Sequence, residues 1–248
     1  MEKLSLIGLG RFGKTFKKNF EKVFKGEKIY YSYDKNFKRE LDREKLFDSD
    51  IIFISVNDDS ILDVLKNIKD YEKEVIIVSA SFEFEKAKKI LKKASNISIF
   101  HPIQSFTYSD DADIFKNIYA TVQSLKKSKF LEKFSKLNQI KVIELKNVDR
   151  KKYHLSSMLA LNYTLTLLYL SEKLLKESTS KNFSKSPFLP VLKKLLEKVE
   201  RKSIKEVITG PSKRGDLKLI KKISENLYDR DLKKLFLLLD KITRERLK

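Results

Sequence analysis

The residues of this chain that could do chemistry are few and unevenly placed. Gly8, Gly10 and Gly13 make a G-x-G-x-x-G turn, His101 and His154 are the two histidines, and Gly210 and Gly215 bracket a Pro-Ser-Lys-Arg run. Glycine is scarce, 6 residues in 248, so its clustering marks backbone that a Cβ would obstruct. Set between a strand and a helix, such a turn brings backbone N–H groups and the positive end of the helix dipole to a pyrophosphate. Gly8 permits the tight turn, Gly10 the approach of the phosphates and Gly13 the close packing of helix on strand. Leu9, Arg11 and Phe12 complete the expected cradle, whose cofactor is NAD(P).

The elements that must position these groups follow from the apolar pattern. A strand over 4–7 runs into the turn, and Phe12, Phe16, Phe20, Val23 and Phe24 then recur on one helical face. A second strand, 28–33, ends at Asp34, where a carboxylate would bind the adenosine ribose and favour NAD; Lys35, Lys38 and Arg39 nearby could instead accept the phosphate of NADP. Strands over 50–56, 74–79 and 97–100 alternate with helices over 60–68 and 84–92, and strands over 117–122 and 140–144 flank a helix over 126–136. Apolar strands alternating with helices imply a parallel sheet covered on both faces. Ligands of such sheets sit beyond the carboxyl ends of the strands. Val56, Asn57 and Asp58, then Ser79, then His101 occupy those ends.

After Glu144 the alternation stops, and helices are expected over 149–177, with Asp149 as N-cap, and over 190–207, 217–227 and 231–246. The expected fold is α/β, a Rossmann-type parallel sheet in residues 1–146, followed by an all-α domain in residues 147–248. The apolar run over 155–170 carries Ser156, Ser157, Asn162, Thr164 and Thr166 and is short for a membrane span, so it reads as a buried helix.

Composition excludes several classes. With no Cys there are no disulfides, thiolate metal sites or cysteine nucleophiles, and no metal is expected. The formal charge of +20 comes from 54 Lys and Arg against 34 Asp and Glu. The excess is lysine-rich and spread along the chain beside carboxylates, which argues against a nucleic-acid partner. No targeting segment is visible, and the expected compartment is the cytoplasm.

Five segments together resemble one family. They are the Gly8 to Gly13 turn, Val56-Asn57-Asp58-Asp59-Ser60-Ile61, His101-Pro102-Ile103-Gln104-Ser105-Phe106, Tyr153-His154 with Asn162, and the stretch from Thr209-Gly210-Pro211 to Arg214-Gly215-Asp216. The family is that of Rossmann-like proteins with a helical C-terminal domain of unknown function, similar to that of 6-phosphogluconate dehydrogenase and related to the coenzyme-F420-dependent NADP oxidoreductases. Some members resemble an alternative ketopantoate reductase of pantothenate biosynthesis. The chain departs from the family's usual His-x-Ser-Gly with Ser79-Ala80-Ser81-Phe82.

The resemblance implies an oxidoreductase reducing a small carboxylate-bearing oxo or imine substrate, with 2-dehydropantoate the most concrete guess. The protein must then supply a proton donor and a carboxylate clamp. His101 is one candidate acid, since prephenate dehydrogenases resemble this His-Pro arrangement. His154 or Lys152, at the start of the long helix, is another, with Ser157 and Asn162 orienting substrate. Lys213 and Arg214 would clamp the carboxylate. A homodimer through the helical domain is expected. The competing reading is a dinucleotide-binding, redox-sensing module without turnover.

Overall fold

The computed structural model describes residues 3–33 and 42–247; Asp34, with Lys35, Lys38 and Arg39, lies outside the described residues. Two compact units divide the chain, Met1–Leu165 and Thr166–Lys248, whereas the boundary expected from the sequence follows residue 146.

The first unit is built on one sheet. Its strands are β1 (Leu4–Ile7), β2 (Lys28–Tyr31), β3 (Ile51–Ile54), β4 (Glu74–Val78), β5 (Asn96–Pro102), β6 (Tyr119–Ser124) and β7 (Lys141–Glu144). Their spatial order is β2-β1-β3-β4-β5-β6-β7. The pairings are parallel except that of β5 with β6, where His101 faces Thr121 in antiparallel register. The expected parallel sheet is thus a mixed one. The chain joins β5 to β6 through a short 3₁₀ turn, Ala112–Phe115, with no crossover helix to return it to a parallel start.

Helices α1 (Arg11–Val23), α2 (Arg43–Asp48), α3 (Asp58–Asn67), α4 (Phe84–Ile90) and α5 (Lys129–Asn138) alternate with the strands. Side chains alternate across each strand, and the two faces have different chemistry. Ile52, Ile54, Val75, Ile77, Ile97 and Ile99 pack an aliphatic layer with Val64 and Leu65 of α3. Phe53 and Phe100 turn the other way, into a layer with Phe16, Phe20, Phe115, Phe130 and Phe134. There the Phe16 and Phe53 rings stack at 4.3 Å. This layer fixes α1, and hence the glycine turn, against the sheet.

Beyond β7, α6 (Arg150–Met158) opens on Asp149, whose carboxylate accepts from Lys151 N and Lys152 N at 3.1 Å. A π turn, Leu159–Tyr163, joins it to α7 (Thr164–Thr179). The run over 155–170 is helical but not buried: Leu159 is 56% and Leu165 62% exposed. The buried helix expected there is corrected: the first unit leaves Leu155 and Leu159 exposed and the second leaves Leu167 and Tyr169 exposed.

The second unit continues α7 with α8 (Leu189–Val199), α9 (Ile204–Val207), α10 (Pro211–Arg214), α11 (Leu217–Glu225) and α12 (Arg230–Arg246). The helix expected over 190–207 is two helices, parted at Ser203, which caps α9 in a capping box with Glu206. The turn-rich segment at Gly210 holds one helical turn between two glycines of positive φ, Gly210 at 104° and Gly215 at 74°. No helix of the described residues is long and apolar enough to cross a membrane.

Candidate functional site

The glycine turn sits between β1 and α1, at the point where the chain crosses from one side of β1 to the other. Gly8 has φ 100°, and a Cβ there would lie 2.5 Å from the Ser55 carbonyl oxygen. A Cβ on Gly13 would overlap the Gly8 carbonyl oxygen, which also accepts from Ser55 Oγ at 2.7 Å. Both positions are therefore closed to side chains by packing. Gly10 differs, because a Cβ there would meet nothing within 4 Å. Its openness faces the exterior, at the N-terminus of a helix that no side chain caps.

A cleft of about 250 Å³ lies here, lined by Gly8, Leu9, Gly10, Ser32, Tyr33, Ser55, Val56 and Asn57. The arrangement fits a pyrophosphate: backbone without side chains, uncapped first-turn N–H groups and the helix dipole. Of Phe12 only the backbone is left for such a role, since its ring stacks in the aromatic layer with Phe16 at 5.6 Å. Arg11 is exposed at the helix start. The ribose-binding role expected of Asp34 lies outside the described residues.

The carboxyl edge continues from β1 through β3 and β4 to β5, three strand spacings or about 14 Å. Ser79 Oγ at the end of β4 donates to Asp58 Oδ1 at 2.7 Å. It also accepts from Ser81 N at 3.1 Å and Phe82 N at 2.9 Å. Ser81 Oγ donates to the other oxygen of Asp58. Two hydroxyls thus tie the loops after β3 and β4 together.

At the end of β5, His101 Nδ1 lies 2.6 Å from Tyr153 Oη of α6. Tyr153 Oη is also 3.0 Å from Thr121 Oγ1 of β6. His101 Nε2 has no hydrogen-bond partner among the described residues. Burial pushes the imidazole down to about 4, helped by the nearby His154 and Arg150 and opposed by Asp58, so the ring is neutral at pH 7. Burial raises the Tyr153 phenol, while Thr121, Arg150 and Ser157 pull it back down.

Arg150 is 5% exposed. Its Nε and Nη2 donate to Gln123 Oε1 at 3.2 and 2.7 Å. Nη1 is buried without a partner, as is His154 Nδ1. Arg150 makes no ion pair among the described residues, and burial lowers its pKa.

The first unit therefore gathers His101 and His154 of the expected acids around Tyr153. Ser157 Oγ, one turn on, reaches the Tyr153 carbonyl oxygen at 3.5 Å, and Asn162 falls in the π turn. Lys152 points into solvent, 85% exposed, and pairs with Asp149 at 3.5 Å. Lys213 and Arg214 belong to the second unit, where Lys213 Nζ donates to the Leu247 carbonyl oxygen and Arg214 is exposed. Tyr153, Thr121 and Arg150 were not singled out as functional from sequence. The available signal was a tyrosine in the first turn after the Asp149 cap, but its partner lies 52 residues away. Among the described residues no group of three His, Asp or Glu could hold a metal ion.

A family model described as a domain of unknown function, DUF2520, matches residues 118–243. No curated protein matches the sequence. Among solved structures, the chain is similar to a candidate NADP oxidoreductase of Bacteroides fragilis, with TM-score 0.76, 21% identity and 99% and 98% of the two chains covered. It is similar also to a Thermotoga maritima protein, with TM-score 0.66, 18% identity and 98% of each chain covered. A third similar structure is Plasmodium falciparum pyrroline carboxylate reductase with NADP bound, with TM-score 0.57, 18% identity and 100% and 97% covered. These likenesses establish the Rossmann-type fold with its helical C-terminal region.

Proposed function

Because the chain belongs to the DUF2520 family and sets a glycine cradle on the same sheet edge as a half-buried histidine, we propose that it is an NAD(P)-dependent oxidoreductase. Its substrate is a small molecule bearing a carboxylate and a reducible oxo or imine group, with 2-dehydropantoate the first to try. The observation that carries this reading is the cradle: Gly8 and Gly13 are closed to side chains, while Gly10 opens outward. The names of the neighbours, an NADP oxidoreductase and an NADP-bound reductase, support it.

NAD(P)H, when bound, supplies a hydride. Gly8, Leu9, Gly10 and the first-turn N–H groups of Arg11, Phe12 and Gly13 hold the pyrophosphate. Val56, Asn57 and Ser79 border the reactive half at the ends of β3 and β4. His101 presents Nε2 to the substrate oxygen, and its neutral ring acts as an N–H donor rather than as an imidazolium. We assign the donor role to His101 over His154 and Lys152, since Lys152 is spent on an exposed pair with Asp149. The carboxylate clamp expected of Lys213 and Arg214 falls in the second unit, where Lys213 Nζ is taken up by the Leu247 carbonyl oxygen.

The protein is proposed to act as a homodimer in which a second copy covers the second unit. Val191 and Leu196 of α8 and Leu238 of α12 are 56%, 67% and 55% exposed. Monomeric proteins seldom leave so many large apolar side chains bare. Sedimentation should show a dimer that Leu196→Asp weakens by at least about 100-fold, or about 2.7 kcal/mol; a monomeric parent protein defeats this part.

The function is tested by fluorescence titration with NADPH and NADH, followed by turnover of a panel of 2-oxo acids that includes 2-dehydropantoate. Gly10→Ala should weaken nucleotide binding by at least about tenfold while shifting unfolding free energy by less than about 0.5 kcal/mol. Tight binding with no hydride transfer to any oxo acid or imine would make the protein a dinucleotide-binding module instead.

A further inference from the structure

The group that orients the His101 ring is a phenol, not a carboxylate, and this decides where the proton must come from. In a phenol–imidazole pair the phenol is the stronger acid and the imine nitrogen the stronger base. Across the 2.6 Å contact, Tyr153 Oη therefore donates to His101 Nδ1 and accepts from Thr121 Oγ1 at 3.0 Å. The ring proton then sits on Nε2, the nitrogen without a protein partner. A neutral imidazole that surrendered this proton alone would become an imidazolate, a far stronger base than the site can hold. A second proton must reach Nδ1 in the same step.

We propose, resting on the reductase reading above, that Tyr153 is the proton source and His101 a relay that never changes charge. As the Nε2 proton passes to the alkoxide oxygen of the reduced substrate, the Oη proton passes to Nδ1. One N–H and one O–H bond break, one O–H and one N–H bond form, and the negative charge moves from the alkoxide to the Tyr153 phenolate. After the product leaves, a water molecule gives a proton to Nε2 as the Nδ1 proton returns to Oη, and hydroxide departs to solvent, so the ring again stays neutral.

The surroundings suit a transient phenolate. Thr121 Oγ1 donates to it, and Arg150 stands one helical turn before Tyr153 on α6. The guanidinium is buried, hydrogen-bonded to neutral Gln123, and without a carboxylate partner among the described residues. Its charge is therefore left to act on Tyr153. The other groups facing the pair are His154 and Ser157 from α6 and Asp58 from the start of α3. Burial and the two cationic or basic neighbours hold His101 neutral, as a relay requires.

Nitrogen-15 NMR of the ligand-free wild-type protein at pH 7 should show His101 neutral with its proton on Nε2; a proton on Nδ1 overturns the relay. Tyr153→Phe should lower kcat by about 100-fold, with KM and NADPH affinity nearly unchanged. The proton inventory of kcat in mixed light and heavy water should be curved for wild type, with two protons in flight, and linear for Tyr153→Phe. Thr121→Val, which keeps the phenol but removes its donor, should lose about tenfold. A Tyr153→Phe enzyme that retains its kcat, or a linear wild-type inventory, defeats the relay alone. A wild type that binds NADPH and reduces no oxo acid or imine defeats the oxidoreductase reading, and the relay with it.

Discussion

In the first unit Phe16, Phe53, Phe100 and Phe134 have no exposed surface, whereas in the second unit Leu196 is 67% exposed and Ile220 is the only buried apolar side chain among the described residues. The difference follows from architecture. A sheet offers two apolar faces, and the connecting helices cover both as the chain winds back and forth, so burial is completed within one copy. Helices in a small bundle each bury a stripe and leave the rest, unless further helices are supplied. The lesson is that the first unit buries its apolar surface within itself while the second leaves apolar side chains bare, which the proposed dimer would cover.

The strongest test of that contrast is paired truncation. Phe16→Ala should cost about 3–5 kcal/mol, the usual range for deleting a fully buried ring. Leu196→Ala should stay within about 0.5 kcal/mol when unfolding is measured at concentrations where the chain is monomeric. Comparable losses at both sites would remove the contrast.

Next in size is a pH effect confined to the first unit. His101 takes up a proton at about 4 when folded, against an ordinary 6.5. A base whose folded value is depressed contributes its full stability above about pH 6.5 and loses it as pH falls toward about 4, here on the order of 3 kcal/mol. The window lies above the range of carboxyls such as Asp50, whose values are themselves lowered from 3.8 by a hydrogen bond from the Lys3 backbone. Hydrogen exchange of the sheet amides should therefore accelerate between pH 6.5 and 4, and His101→Gln should flatten that dependence. An unchanged profile in the variant would place the acid sensitivity elsewhere.

How much of this was legible in the sequence depends on whether the determining contact is local. The strand over 4–7, the glycine turn and the Phe12, Phe16, Phe20 face are read from neighbours in the chain, and they stand where expected. The cap Asp149 is equally local, accepting from first-turn N–H groups. The reversal of β6 was not read, although the missing helix between residues 103 and 118 was its signal. Tyr153 stands in the sequence only as part of a motif, without a role, because its chemistry exists only through His101 and Thr121, which the sheet brings to it. The exposure of the run over 155–170 is not legible either, since an apolar helix has the same sequence pattern whether or not a neighbouring element covers it.

The smallest expected effect concerns the glycines, and it separates the two units by the reason each glycine is kept. In the first unit Gly13 is reserved by packing, since a Cβ would overlap the Gly8 carbonyl oxygen; Gly13→Ala should force the β1 to α1 turn apart and cost about 1–3 kcal/mol. In the second unit Gly215 has open space around its missing Cβ, and only its φ of 74° resists a side chain. Gly215→Ala should therefore cost about 1 kcal/mol, and Gly215→Asn less, because asparagine tolerates the left-handed region. Unfolding curves of the three variants rank the two causes. If Gly215→Asn proved as damaging as Gly13→Ala, the turn after α10 would be closed by contacts of its own, and the second unit would be more tightly packed than its bare leucines indicate.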